Sequence, residues 1–297
     1  MNLQDEQIRL AAFDWLRDQT DKYDQVLSIE LLRQGFIFKN ERISLVAPQG
    51  IFKPRSMELP LSITTAPLSE YDDAFRPDEY LNYKYRGDNI HHRDNVGLRE
   101  CMKQGIPLVY FLGLVPGKYL PVWPVYIIGD DPANLSFTVA VDDLGSIIKD
   151  EGKIKEPDGR KLYITTMVKV RLHQQAFREK VLYAYKSRCA LCQLKHNELL
   201  DAAHIIPDGE PESKPTVDNG LSLCKLHHAA FDKYFIGITP DYIVEVRKDV
   251  LEEFDGPMLQ HGLKELNGNK IFVPTKKIEK PNPDFLDIRY QRFLKAS

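Results

Sequence analysis

Between Cys189 and Asp232 the chain interleaves two sets of residues able to do chemistry. The first is Cys189-x2-Cys192 followed by Cys224-x2-His227. Two chelating turns of matching spacing offer three sulphurs and one imidazole to a tetrahedral ion, the donor set of a closed structural zinc site. The second set is His204 in Leu-Asp-Ala-Ala-His-Ile-Ile-Pro, Asn219 in Asp-Asn-Gly-Leu, and His228 with Asp232 in His-Ala-Ala-Phe-Asp. A complete zinc site needs none of these. Such a surplus of proton-accepting and metal-ligating residues inside one short segment reads as catalytic.

Over residues 185–240 the order and spacing resemble the HNH nucleases, in which a ββα-metal fold places a general-base His on a first strand, an Asn in the following loop and a metal ligand on a helix. Adjacent His227 and His228 carry the resemblance furthest, since many HNH proteins have the second Cys of a zinc pair directly before the final His. The resemblance implies that His227 closes the zinc site and His228 faces a catalytic ion. It implies metal-dependent hydrolysis of DNA phosphodiesters with Mg²⁺ or Mn²⁺, structural Zn²⁺, His204 as general base and Asn219 orienting the His204 loop. One position departs from the pattern: the residue before the base, in many HNH enzymes a metal-binding His or Asp, is Ala203. Asp201 lies two residues earlier, on the same face of a strand as position 203. Asp232 lies four residues after His228 and shares a helix face with it. The preferred ligand pair is His228 with Asp232, and Asp201 is the second candidate. Zinc is expected to stabilise a module with too little hydrophobic core of its own.

These elements sit in a chain of 297 residues, 43% hydrophobic and 28% charged, long enough for two domains. No apolar run reaches the roughly 18–20 residues that cross a bilayer, so a cytoplasmic protein without membrane contact is expected. The net charge of −3 does not advertise nucleic-acid binding, so a DNA face has to come from local clustering. Residues 169–188 supply one, with Lys169, Arg171, Arg178, Lys180, Lys186 and Arg188 against Glu179, and with apolar Leu172, Ala176, Phe177, Val181, Leu182 and Tyr185 at helical spacing. Cys101 has no partner in the sequence and reads as an inert core thiol, and His91 and His92 read as surface or packing residues.

The expected fold class is α+β, with a DNA-recognition domain over residues 1–150, a linker over 151–165 and a nuclease domain over 166–297. Two helical patterns open the chain between residues 5 and 34, stopped by Gly35. Short β-rich runs follow at Ile43–Val46, Leu61–Thr65, Leu108–Leu114, Val122–Ile128 and Phe137–Val141. After the nuclease core, Gly268–Pro274 suits a strand and Pro283–Leu294 a helix. The order Tyr83-x-Tyr85-x-Gly87, His92-Arg93-Asp94-Asn95 and Pro107 to Gly113 resembles the SRA-type domains of the PUA-like superfamily, compact barrels with a pocket for a flipped modified base. That resemblance implies a pocket built from Tyr83, Tyr85, Asp88, Asn95, Tyr110 and Trp123.

The resulting expectation is a restriction-type HNH endonuclease acting on double-stranded DNA in defence against foreign DNA, with methylated or hydroxymethylated DNA as target and a homodimer on DNA. Its alternatives are a restriction enzyme reading unmodified sequence, a nuclease gated by a small molecule, and a non-catalytic zinc-containing DNA-binding module.

Overall fold

The computed structural model describes residues 2–67, 80–141, 173–254 and 256–296. The chain divides into two compact units, Met1–Leu172 and His173–Ser297. The linker expected over residues 151–165 lies outside the described residues, as do Lys169, Arg171 and Leu172.

In the first unit, helix α1 (Leu3–Lys22) starts at Asn2, whose side chain accepts the Asp5 N–H, and buries the stripe Ile8, Ala12, Phe13 and Leu16. Asp5 and Arg9, four apart on that helix, are buried too. The Asp5 carboxylate accepts the N–H groups of Glu58 and Leu59, and Arg9 donates to the carbonyls of Pro60 and Pro107. Two charges that would be costly in an apolar setting therefore tie the helix to two turns. Strand β1 (Leu27–Ser28) and helix α2 (Ile29–Gln34) follow, then the hairpin β2 (Phe36–Phe38) and β3 (Glu41–Ile43).

The main sheet comprises β4 (Ile51–Phe52), β5 (Ser62–Thr65), β6 (Leu81–Lys84), β7 (Leu108–Val115), β8 (Lys118–Asp131) and β9 (Ser136–Val141), with α3 (Arg93–Gln104) between β6 and β7. Its order is β4-β5-β7-β8-β9-β6, with β1 paired to β8, and β5–β7 is its parallel pair. The described strands form an open half-barrel, not the closed PUA/SRA-like barrel expected from the motif order. Val109 and Phe111 of β7 pack with the α1 stripe, so alternation turns Leu108, Tyr110 and Leu112 to the other face. The strand expected at Ile43–Val46 ends at Ile43. Leu45 is buried, but its N–H goes to the Leu32 carbonyl and its own carbonyl accepts the Ser62 hydroxyl, so no ladder is needed.

The second unit holds helix α4 (173–184), strands β10 (Leu200–His204) and β11 (Gly220–Cys224), helix α5 (Lys225–Asp232), the hairpin β12 (Ile236–Ile238) and β13 (Val244–Val246), and helices α6 (Lys248–Glu252), α7 (Pro257–Gly262) and α8 (Pro283–Ala296). One apolar cluster runs through it, from Phe177, Val181 and Tyr185 through Leu200, Ala203, Leu221 and Leu223 to Phe231, Ile236, Val244 and Leu286. This corrects the expectation of a module with too little core: α4, the hairpin and α8 supply what the strands around the cysteines lack. α8 is seated where Gly237 in β12 leaves room, since a Cβ there would lie 2.5 Å from Cδ1 of Phe293. The strand expected over Gly268–Pro274 is only a bridge of Lys270 to Ile243. Ile271 and Phe272 donate to Tyr242 and Ala190, in two different segments, so no continuous ladder forms.

Candidate active site

β10 and β11 pair antiparallel from Leu200 opposite Cys224 to His204 opposite Gly220, and α5 begins directly after Cys224. One hairpin and one helix thus carry both sets of chemical residues. Consecutive helical residues project about 100° apart, which sends His227 and His228 to different surroundings.

His227 is buried and points its Nδ1 at sulphur, 3.4 Å from Cys189 and 3.2 Å from Cys224, while the Cys192 and Cys224 sulphurs lie 4.0 Å apart. The donor atoms of Cys189, Cys192, Cys224 and His227 all lie within 4.8 Å of one another. A tetrahedral ion with ordinary metal–sulphur and metal–nitrogen bond lengths sets such donors about 3.6–3.8 Å apart, so the set fits a metal ion. The Nε2 of His227 sits 2.7 Å from the Gly262 carbonyl on α7. Its proton there leaves Nδ1 as the free donor, a carbonyl-fixed tautomer typical of ligating histidines. The turn itself is closed by Cys189 N–H to Leu194 and Gln193 N–H to Cys189, with Gln193 in the left-handed region. Burial pushes His227 down, but hydrogen bonds with Cys189 and Cys192 outweigh it and raise the imidazole to about 10, while Cys189 is lowered toward thiolate by its Cys192 and Cys224 neighbours. Without a cation the cluster holds a proton that a metal would displace.

His204 ends β10, half-exposed, and its ring stacks on Phe177 of α4 at 3.9 Å and 12°. Gly220 opposite makes that stack possible. A Cβ at Gly220 would stand 2.4 Å from Cγ2 of Val181 and 3.0 Å from Cζ of Phe177. Burial lowers the His204 pKa below its ordinary 6.5, against the raising influence of the Asp208 charge. The ring is therefore neutral at pH 7 and able to take a proton.

The loop after His204 is held by Asn219, which is fully buried. Its Oδ1 accepts the Ile206 N–H at 2.8 Å, and its Nδ2 donates to the carbonyls of Ile206 and Lys214, each at 3.1 Å, and to Ser213 Oγ at 3.3 Å. Its own carbonyl accepts the Ile205 N–H. The amide is thus spent on the loop that follows the histidine, at Ile206, Ser213 and Lys214.

His228 lies between two carboxylates, with Nδ1 3.4 Å from Asp201 and Nε2 3.3 Å from Asp232. Burial raises Asp201, but Lys225, with Nζ 2.7 Å from both oxygens, and His228 lower it overall. Among the described residues, His228, Asp201 and Asp232 do not converge into a three-donor group of the kind the cysteines form. The arrangement fits an ion held by His228 with one carboxylate. Asp232 is 52% exposed and stands 3.6 Å from the Arg289 guanidinium, whereas Lys225 approaches Asp201 to 2.7 Å and already neutralises it.

Residues 189–239 match the family model of the HNH endonucleases. The HNH segment thus spans the cysteine turn, both strands, α5 and β12. No curated protein matches the chain. Among solved structures it is similar to a modification dependent restriction endonuclease, TagI, at 15% identity over 79% of this chain and 81% of that one, with a TM-score of 0.31.

Around the HNH segment the structure rearranges two expected sites. The basic helix breaks at 184, and Lys186 and Ser187 adopt left-handed turns. Arg178 does not face outward as a DNA contact: it binds Glu179 and the carbonyls of Asn197 and Leu200. Arg188 stacks over Phe272 and reaches toward Gln193. Lys180 is half-buried on α4 and Lys186 is exposed in the turn. The six residues of the expected base pocket do not converge. Tyr83 and Tyr110 are buried, their phenols pushed up by burial, with hydroxyls on the Thr64 carbonyl and Thr65. Tyr85 is bonded to Asp130 and Arg99, Asn95 is spent on the backbone of Arg86 and Asn89, and Asp88 is exposed. Trp123 packs on the α1 side of the sheet, opposite Tyr110. Aromatic spacing in strands reported core here, which is its commoner meaning. Helical spacing marks Phe177 only as an apolar position and does not show that it floors His204; the Gly220 opposite is the signal in the sequence.

Proposed function

We propose that the chain is a metal-dependent endonuclease of restriction type that hydrolyses DNA phosphodiester bonds, with His204 as general base. The observation that carries it is the pairing of a neutral, ring-stacked His204 with His228 set between two carboxylates on the adjoining helix, inside the HNH segment. His204 would accept the proton of the attacking water, and its stack on Phe177 fixes the direction in which its ring nitrogens point. Asn219 keeps the following loop from carrying the histidine away. His228 and Asp232 would hold Mg²⁺ or Mn²⁺. When bound, that ion supplies charge to offset the crowded anionic phosphate. Cys189, Cys192, Cys224 and His227 would hold zinc, which locks the start of α5 onto the β10–β11 hairpin and so sets where His228 stands.

The first unit would choose the target, since the HNH segment offers little surface for reading bases. The finer reading, a requirement for methylated or hydroxymethylated DNA, rests on the order of motifs in residues 1–150. Double-strand cutting by one site per chain calls for pairing of two chains on DNA. The test is a series of matched plasmids, unmodified, cytosine-methylated, hydroxymethylated and adenine-methylated, each with Mg²⁺ or Mn²⁺. Cutting confined to a modified plasmid supports the finer reading, and cutting of the unmodified one alone replaces it with an ordinary restriction enzyme. No cutting in any combination refutes the nuclease proposal.

A further inference from the structure

Helix α8 lies beyond the HNH segment in sequence, yet two of its arginines reach the two halves of the candidate site. Arg292 forms a two-pronged pair with Glu210, Nη1 to Oε1 and Nη2 to Oε2, each at 2.7 Å. Glu210 sits in the loop between His204 and Asn219, the acidic stretch for which nuclease chemistry gives no role. Three residues earlier, Arg289 is 5% exposed and donates to the Phe231 carbonyl at 3.1 Å, with its Nη2 3.6 Å from Asp232. Its guanidinium lies over the rings of Phe231 and Tyr234, at 4.7 and 4.5 Å, so two aromatic contacts hold it in place. The helix carrying both is anchored by buried Leu286 and Phe293, by Phe293 against Gly237, and by the Asn282 N–H on the Asp218 carbonyl at its entry.

We propose that Arg292 and Arg289 are positioning residues for the cleavage reaction: Arg292, through Glu210, holds the loop that follows His204, and Arg289, through Phe231 and Asp232, holds the last turn of α5, the helix that carries His228. This rests on the nuclease reading above. Planar, forked donation to a carboxylate fixes orientation as well as distance, which a lysine cannot reproduce. Rigid support from outside the motif matters because small misplacements of reacting groups are costly in rate, about 10²-fold for 1 Å.

The experiment uses the full chain with Arg292→Glu, Glu210→Arg, the double exchange of the two, and Arg289→Lys. Two quantities are read: kcat and KM on a DNA duplex with Mg²⁺ or Mn²⁺, and hydrogen exchange of the amides at 206–214 without DNA. Each single change at the ion pair is expected to lower kcat about tenfold or more with KM little altered, to speed loop exchange, and to be rescued by the double exchange. Arg289→Lys is expected to lower kcat with the fold intact. Singles that cut at the wild-type rate, or a double exchange no better than the singles, overturn the proposal. If wild-type protein cuts no DNA, the nuclease reading fails by itself. Loop exchange then decides the Arg292–Glu210 clamp, and equal exchange in wild type and Arg292→Glu overturns it.

Discussion

Replacing Asn219 by alanine tests the coupling between loop and catalyst. The side chain makes hydrogen bonds to Ile206 N, Ile206 O, Ser213 Oγ and Lys214 O, all from a fully buried position. A net contribution of about 1 kcal/mol for each gives roughly 4 kcal/mol. Two corrections pull in opposite directions. The Ile206 carbonyl keeps the Ser213 hydroxyl as a partner, which lessens the loss, while the buried Ile206 N–H is left without one, at about 1–3 kcal/mol. A destabilisation of about 4–6 kcal/mol is therefore expected for the second unit. The assay is urea unfolding of the full chain, followed by the transition of residues 173–297, alongside single-turnover cleavage at a temperature where the variant remains folded. Activity should fall further than the folded fraction, because the Ile206 amide that the Asn219 side chain holds lies two residues after His204. An Asn219→Ala chain within about 1 kcal/mol of wild type would refute the clamp.

Four further outcomes follow from the site. His204 is held below 6.5 by burial, so cleavage should decline only as pH falls through that lowered value, and Phe177→Ala should move the acid limb upward; a wild-type midpoint at or above 6.5 contradicts this. By the same linkage the unfolded chain binds the proton first, so acid below about 6.5 should destabilise the second unit, as pH-dependent urea melts would show. Cys224→Ser, or a strong chelator, should remove about one metal ion per chain and lower the melting temperature of the second unit, measured by elemental analysis and calorimetry; full stability after metal loss would speak against a structural site. Gly220→Ala puts a Cβ 2.4 Å from Val181 and should cost about 1–3 kcal/mol while displacing Phe177 from under His204; a circular-dichroism melt unchanged from wild type would contradict it.

The ligand spacing was legible in the sequence because chelation is local: two x2 turns bring the donors close once one strand pairing is made. The strand carrying His204 and the helix carrying His228 were implied by the resemblance to HNH nucleases, and β10 and α5 are where it set them. Legibility ended where the chemistry depends on distant chain. Nothing in local spacing says that Phe177 lies under His204, or that Arg289 and Arg292 come back onto residues 58 and 82 positions away. Periodicity offered Asp201 and Asp232 alike for the ligand missing at Ala203, and it could not register that Lys225 reaches Asp201 across the hairpin. In the first unit, alternation in strands says which residues share a face and not whether that face is a pocket. Tyr110 and Trp123, both expected in one pocket, fall on opposite sides of one sheet.

The most direct test of the account is single-turnover cleavage of duplex DNA by wild-type protein and by His204→Ala, both shown folded and loaded with metal at the cysteine site. The account predicts a loss on the order of 10²–10⁴ in the rate of bond cleavage with DNA binding retained. Cleavage by His204→Ala at the wild-type rate would contradict it.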